Sequence, residues 1–185
     1  MHVQLAETYF KMERYQEAAA AYEKAIEQQE PSAEFLSDLG NCYFKMKQYG
    51  PAEEYYLKAL ELDSNLAVTY RNLGLTRTGL EKYEEALSSL EKYSQMTVDD
   101  SDVLPIMGDV YSKTGQYEQA LALYEKYLAQ NPAAAHILFR LSDCYLNMGH
   151  TDSAILGFRR VLQLNPDFEP ARQRLDSLTQ QALIS

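Results

Sequence analysis

Leu73-Gly74…Ala86…Leu90 and, 34 residues on, Met107-Gly108…Tyr111…Ala120…Tyr124…Pro132 are two successive copies of one pattern, and Leu141 opens a third. Stepping outward by 34 in either direction returns the same residue types. One row runs Leu5, Leu39, Leu73, Met107, Leu141, Leu175; a second runs Ala18, Ala52, Ala86, Ala120, Ala154. Three more are Tyr9, Tyr43, Arg77, Tyr111, Tyr145; then Tyr22, Tyr56, Leu90, Tyr124, Phe158; then Tyr15, Tyr49, Tyr83, Tyr117, Thr151. Self-similarity at a fixed period of this size is the signature of a solenoid, in which each repeat buries its apolar face only against its neighbours.

Composition agrees with an array. Of 185 residues, 46% are hydrophobic, which is ample for a continuous core, and 15 Tyr with no Trp make tyrosine the large core residue. A buried tyrosine ring needs a partner or water for its hydroxyl. A thin layered array, where no position lies far from solvent, meets that need.

The quoted residues resemble the tetratricopeptide repeat family: Leu36…Leu39-Gly40…Tyr43…Ala52…Tyr56…Ala59 carries the signature most fully. The resemblance covers the whole chain. It implies an all-α, right-handed superhelical solenoid of antiparallel helix pairs, with five 34-residue repeats at about 1–31, 32–65, 66–99, 100–133 and 134–167, and a C-terminal capping helix at about 169–183. All of 1–185 is expected to form this single array. Fold alone does not fix function.

Local signals refine the expectation. The first helices are expected near 3–12 and 15–29, with no polar helix ahead of them to cover Leu5 and Tyr9. Ser32 is placed to cap the next helix, and Pro51 falls in a first turn, where a missing N–H costs least. Asp99-Asp100-Ser101-Asp102 lacks the alternation, glycine and distal Glu of a calcium loop and reads as helix-start carboxylates; Pro105 delays that helix to Asp102 or Val103. The 66–99 repeat departs most: Arg77 replaces a tyrosine, Gly79 is expected to loosen the helix end, and Val98 stands where proline usually punctuates. Leu175, Leu178 and Ala182 share one face of the last helix, as a cap requires.

Charge and motifs narrow the function. Net charge is −10, from 27 acids and 17 bases, which argues against nucleic acid and an anionic membrane surface. The absence of a long apolar run or a leader-like start points to a cytoplasmic location. Cys42 and Cys144 occupy one repeat position three periods apart, too far for the roughly 7 Å Cα limit of a disulfide, and read as small core residues. His2, His136 and His150 share no metal-ligand spacing, no glycine-rich phosphate loop occurs, and adjacent acids such as Glu53-Glu54 diverge on a helix instead of converging in a cleft. No catalytic residue, metal or cofactor is therefore expected.

In the family the first helix of each pair lines a groove. Carried over position by position, the resemblance makes Asn41, Arg71, Asn72, Asp109, Phe139, Arg140 and Asp143 the peptide-binding residues. The carboxylate clamp known in some members is incomplete in every window; the last, Arg71, Leu75, Ile106, His136, Arg140, keeps two guanidinium groups and a histidine and loses both asparagines, and the middle one keeps Asn41 and Asn72. The first expectation is a non-catalytic scaffold holding a peptide or partner helix in that groove. The alternatives are the recruiting arm of a larger enzyme, such as a glycosyltransferase with its catalytic domain elsewhere, and self-association as a homodimer through the uncovered N-terminal edge.

Overall fold

The computed structural model describes residues 2–28, 30–97 and 100–184, with side chains as far as 180. Among the described residues all regular structure is helical: α1 His2–Lys11, α2 Tyr15–Ile26, α3 Ala33–Lys45, α4 Tyr49–Leu62, α5 Ala67–Gly79, α6 Tyr83–Met96, α7 Val103–Lys113, α8 Tyr117–Gln130, α9 Ala135–Asn147, α10 Thr151–Leu164 and α11 Glu169–Ile184. The chain forms two compact units. One ends at Asp100 and holds α1–α6; the other starts at Ser101 and holds α7–α11. Within each unit every helix packs on the next.

The period is built into the turns. Gln48 N–H donates to Tyr43 C=O and Lys47 N–H to Phe44 C=O, both at 2.9 Å, which is the paired bonding of a Schellman helix end. The same long bond joins Arg14 to Tyr9, Lys82 to Arg77, Gln116 to Tyr111 and His150 to Tyr145, each at 2.9 Å. The turn residue between takes positive φ at Glu13, Lys47, Glu81, Gly115 and Gly149. Two residues later each second helix begins, at Tyr15, Tyr49, Tyr83, Tyr117 and Thr151.

Core packing follows the rows. Ala18, Ala52, Ala86, Ala120 and Ala154 are fully buried, and so, to within 2%, are Tyr22, Tyr56, Leu90, Tyr124 and Phe158. In three pairs the large side chain of the second row lies on a glycine in the first helix of its own pair. A Cβ on Gly40 would stand 2.7 Å from the Tyr56 ring, one on Gly74 2.6 Å from Leu90, and one on Gly108 2.6 Å from Tyr124. In α9 the corresponding residue is Ser142, and the space is recovered across the interface at Gly157, whose added Cβ would lie 2.0 Å from the Ser142 hydroxyl.

The local expectations fare well. Ser32 caps α3, accepting from Phe35 N–H at 3.3 Å; Pro51 and Pro105 lie in first turns; α7 starts at Val103. Cys42 and Cys144 are free and buried. Two readings change. Helix α2 ends at Ile26, earlier than expected, and Gly79 does not loosen α5: it is the last helical residue, bare because the Tyr49 ring lies 2.7 Å from where its Cβ would be. Gln29, Val98, Asp99 and the side chain of Ala182 lie outside the described residues.

Two glycines should respond oppositely to alanine. Gly50, inside α4 with nothing within 4 Å of an added Cβ, should gain about 0.5–1 kcal/mol as Gly50→Ala. Gly74→Ala should lose about 1–3 kcal/mol by pushing α5 off Leu90. Urea unfolding of both variants checks the pair.

Candidate functional site

In the first unit α3 carries Asn41 and α5 carries Arg71 and Asn72. The buried Tyr56 ring, rising from α4, donates its hydroxyl to Asn41 Oδ1 at 2.7 Å. Asn72 Nδ2 donates to the same oxygen at 2.9 Å, so one carbonyl ties the α3/α4 pair to the next helix. Asn41 Nδ2 donates to Asp38 Oδ1 at 3.3 Å, and Tyr22 OH to Asp38 Oδ2 at 3.5 Å. Burial pushes the Asp38 carboxyl above its ordinary range; the Asn41 amide opposes this and the neighbouring Glu7 adds to it. Arg71 lies in the field of the Tyr93 hydroxyl, which donates to Asp100.

In the second unit the same positions hold charge. Tyr124 OH donates to Asp109 Oδ1 at 2.7 Å and Arg140 Nη1 to Oδ2 at 2.6 Å. Burial still outweighs both donors and raises the Asp109 carboxyl. The side chains of Arg140 and Asp109 remain 42% and 34% exposed, so the pair presents itself to solvent. Asp143 meets Arg174 of α11: Nη2 donates to Oδ2 at 3.4 Å, and Nε stands 2.9 Å from Oδ1 as an ion pair. Oδ1 accepts no hydrogen bond, because Phe158 stands where Tyr56 and Tyr124 supply a hydroxyl. Phe139 packs on Phe158 and Phe168, at centroid distances of 5.5 and 5.2 Å, and with Asp143 and Arg174 borders a cavity of about 380 Å³.

These contacts obey a second spacing inside the repeat. Asn41–Asn72, Asp109–Arg140 and Asp143–Arg174 are each 31 residues apart. Of the expected residues, Asn41 and Asn72 come together as a cross-linked pair, as do Asp109 and Arg140, while Asp143 joins Arg174 and Phe139 is as much core as lining. Arg174 is absent from the sequence expectation, although the period leads to it from Arg140. Tyr56 and Tyr124 are also additions; a buried hydroxyl's need for an acceptor was the signal. His150 lies at the start of α10 with its ring edge-on to Tyr145. Among the described residues no group of His, Cys, Asp and Glu could hold a metal ion, and no helix is long and apolar enough to cross a membrane.

A raised carboxylate pKa in the folded state means that ionised Asp38 opposes folding at neutral pH, an opposition that fades as the pH falls through the folded pKa. Asp38→Asn should therefore raise stability at pH 7, while Asn41 and Tyr22 keep one acceptor. The gain should shrink steadily as the pH drops through the carboxylate range. Thermal unfolding across that range gives the test; a gain independent of pH would contradict the assignment.

A family model described as tetratricopeptide repeat matches residues 1–65 and 31–97, and a second with the same description matches 111–181. No curated protein gives a significant match. Among solved structures the chain is similar to MamA, with 22% identity, a TM-score of 0.80, and coverage of 89% of this chain and 90% of that one. It is similar to YrrB, described as a TPR protein with an unusual peptide-binding site, at 21% identity and TM-score 0.81, covering 94% and 89%. A third is the thermophilic TPR protein TTC0263 of Thermus thermophilus, at 22% identity and TM-score 0.67, covering 95% and 96%. At these identities the likeness concerns the fold. The repeat period, the helix pairs and the family models matching 1–97 and 111–181 together place this chain in the tetratricopeptide repeat family.

Proposed function

We propose that this chain is a non-catalytic interaction scaffold that holds a peptide or a partner helix against the first-helix faces of its two units. Members of the family are in general interaction modules, and the similar protein YrrB is described as having a peptide-binding site. The observation that carries the reading is the half-exposed Asp109–Arg140 pair and its amide counterpart Asn41–Asn72. Each pair is held in place by a buried tyrosine hydroxyl, so its polar atoms are fixed before a ligand arrives, which lowers the ordering cost of binding. Asn72 gives an N–H of its side chain to Asn41, and an amide has both a further donor and an acceptor to offer a peptide backbone. Arg140 offers further N–H groups for a carboxylate or carbonyl beyond the one spent on Asp109.

A second reading is favoured by one observation. Leu5 is 42% exposed, where its row-mates Leu39 and Leu73 are 0% and 2% exposed. Self-association through α1 would cover it. Light scattering of the wild type beside Leu5→Glu distinguishes this reading: a dimer lost in the variant supports it, and a concentration-independent monomer removes it.

For the main reading, peptides selected on the immobilised chain from a random library should bind Asn72→Ala about three- to tenfold more weakly, the loss of one hydrogen bond. Arg140→Gln, which keeps a donor toward Asp109, should lose about tenfold for peptides seated on the second unit. Fluorescence anisotropy gives the affinities and urea unfolding confirms that both variants fold. Selected peptides whose affinity neither change alters would overturn the assignment of these faces.

A further inference from the structure

In the second unit, α9 and α11 border a cavity of about 380 Å³ lined by Phe139, Asp143, Pro170, Gln173, Arg174 and Ser177. What sets it apart is a carboxylate that lies close to a cation and yet is poorly supplied with hydrogens. Arg174 Nε stands 2.9 Å from Asp143 Oδ1, but Oδ1 accepts no hydrogen bond, and Nη2 reaches Oδ2 only at 3.4 Å. At the equivalent position one repeat earlier, Asp109 receives Tyr124 OH at 2.7 Å and Arg140 Nη1 at 2.6 Å. A carboxylate drawn out of water is costly where its oxygens lack donors, so Asp143 is short of a partner that carries an N–H or O–H.

The other lining groups narrow the choice of that partner. Ser177 spends its hydroxyl hydrogen on Gln173 C=O at 2.8 Å, and Gln173 spends an amide hydrogen on Glu169 at 3.2 Å. Each keeps a side-chain oxygen that accepts nothing among the described residues. Arg174 is 51% exposed and keeps further N–H groups beyond the one given to Asp143. The open groups are therefore acceptors on Asp143, Gln173 and Ser177 and donors on Arg174. Because Asp143 and Arg174 offset each other in charge, a cation or an anion entering here meets its own sign as well as its opposite. A neutral group that gives hydrogens from one atom and accepts on another fits the whole set, and a primary carboxamide is such a group. Phe139 and Pro170 supply apolar walls for the stem that carries it.

We propose that this cavity receives the primary carboxamide of a partner peptide, from a glutamine or an asparagine side chain, with its N–H groups on Asp143 and its C=O on Arg174. The site deepens the scaffold reading of the second unit and rests on it.

The test titrates the whole chain, isotopically labelled, with acetyl-Gly-Gln-Gly-methylamide and with its Asn, Glu and Met counterparts. Amide shifts should localise to α9 and α11 around Asp143, Arg174 and Ser177, and the tighter of the Gln and Asn peptides identifies the source of the carboxamide. The Met peptide, of similar length without the amide, should bind about three- to tenfold more weakly than the tighter of those two. The Glu peptide should be weaker as well, because its carboxylate meets Asp143. Asp143→Asn keeps the shape, removes that charge and leaves Arg174 free to pair with a carboxylate, so it should reverse the order of the Gln and Glu peptides; urea unfolding confirms that the variant folds. Equal binding of the Met peptide and both carboxamide peptides, shifts scattered over the surface, or an unchanged order in Asp143→Asn would each overturn this site alone, since the scaffold reading is tested separately through Asn72 and Arg140 with selected peptides.

Discussion

Everything in this fold hangs on how closely the two helices of a pair approach, and that distance is set where one large side chain lies on a bare patch of backbone. Tyr56 on Gly40, Leu90 on Gly74 and Tyr124 on Gly108 leave no room for a methyl group. Where α9 carries Ser142 at the bare position, the opposite helix gives up its own side chain at Gly157. The constraint is thus on the sum of the two surfaces and not on either residue. Close approach fixes the pair, the Schellman turn fixes its register, and repetition of both yields helices that bury one face against each neighbour.

That geometry also dictates part of the surface. A tyrosine sunk to 2% exposure or less must still place its hydroxyl: Tyr56 and Tyr124 reach a polar residue on their own first helix, 15 positions back, and Tyr22 reaches Asp38 on the first helix of the next pair. Asn41 and Asp109 meet that need. Where the position holds Leu90, the residue 15 back is the apolar Leu75; where it holds Phe158, Asp143 turns to Arg174 and leaves one oxygen without a hydrogen bond. The polar positions that resemble a binding face are therefore partly the outer ends of core packing. The fold has already set the orientation of these groups.

This double duty explains what could be read from the sequence and what could not. Helix pairs, their turns and the starts of second helices follow from rows of residues 34 apart, because burial and turn geometry act locally and repeat faithfully. The first-helix positions of Asn41, Asn72, Asp109 and Arg140 were legible from the period. Their pairing was not, since it joins residues 31 apart in successive helix pairs, a relation that only the packed neighbours reveal. Gly79 shows the same limit: a glycine near a helix end suggests loosening, whereas here it admits the Tyr49 ring from the preceding helix pair.

The 66–99 stretch shows how several departures can be one physical change. In the row Ala19, Glu53, Leu87, Leu121, Ile155 only Glu53 is charged, and in the row Tyr9, Tyr43, Arg77, Tyr111, Tyr145 only Arg77 is not aromatic. The two exceptions meet as an ion pair whose side chains are 12% and 18% exposed, joined by Lys82 on the same carboxylate. Burial works to raise the Glu53 carboxyl, and the hydrogen bonds from Lys82 and Arg77 override it, holding the group below its ordinary range. A half-buried charge of either sign would be costly alone, so neither exception is stable without the other. Twenty residues before each of Tyr43, Tyr111 and Tyr145 stands a glutamate, at Glu23, Glu91 and Glu125, while Leu57 stands twenty before Arg77. With no phenol to accept from, a carboxylate at that site has no purpose, and a leucine there leaves Arg77 to Glu53. One exchange of ring for guanidinium thus accounts for the pair and the missing acid.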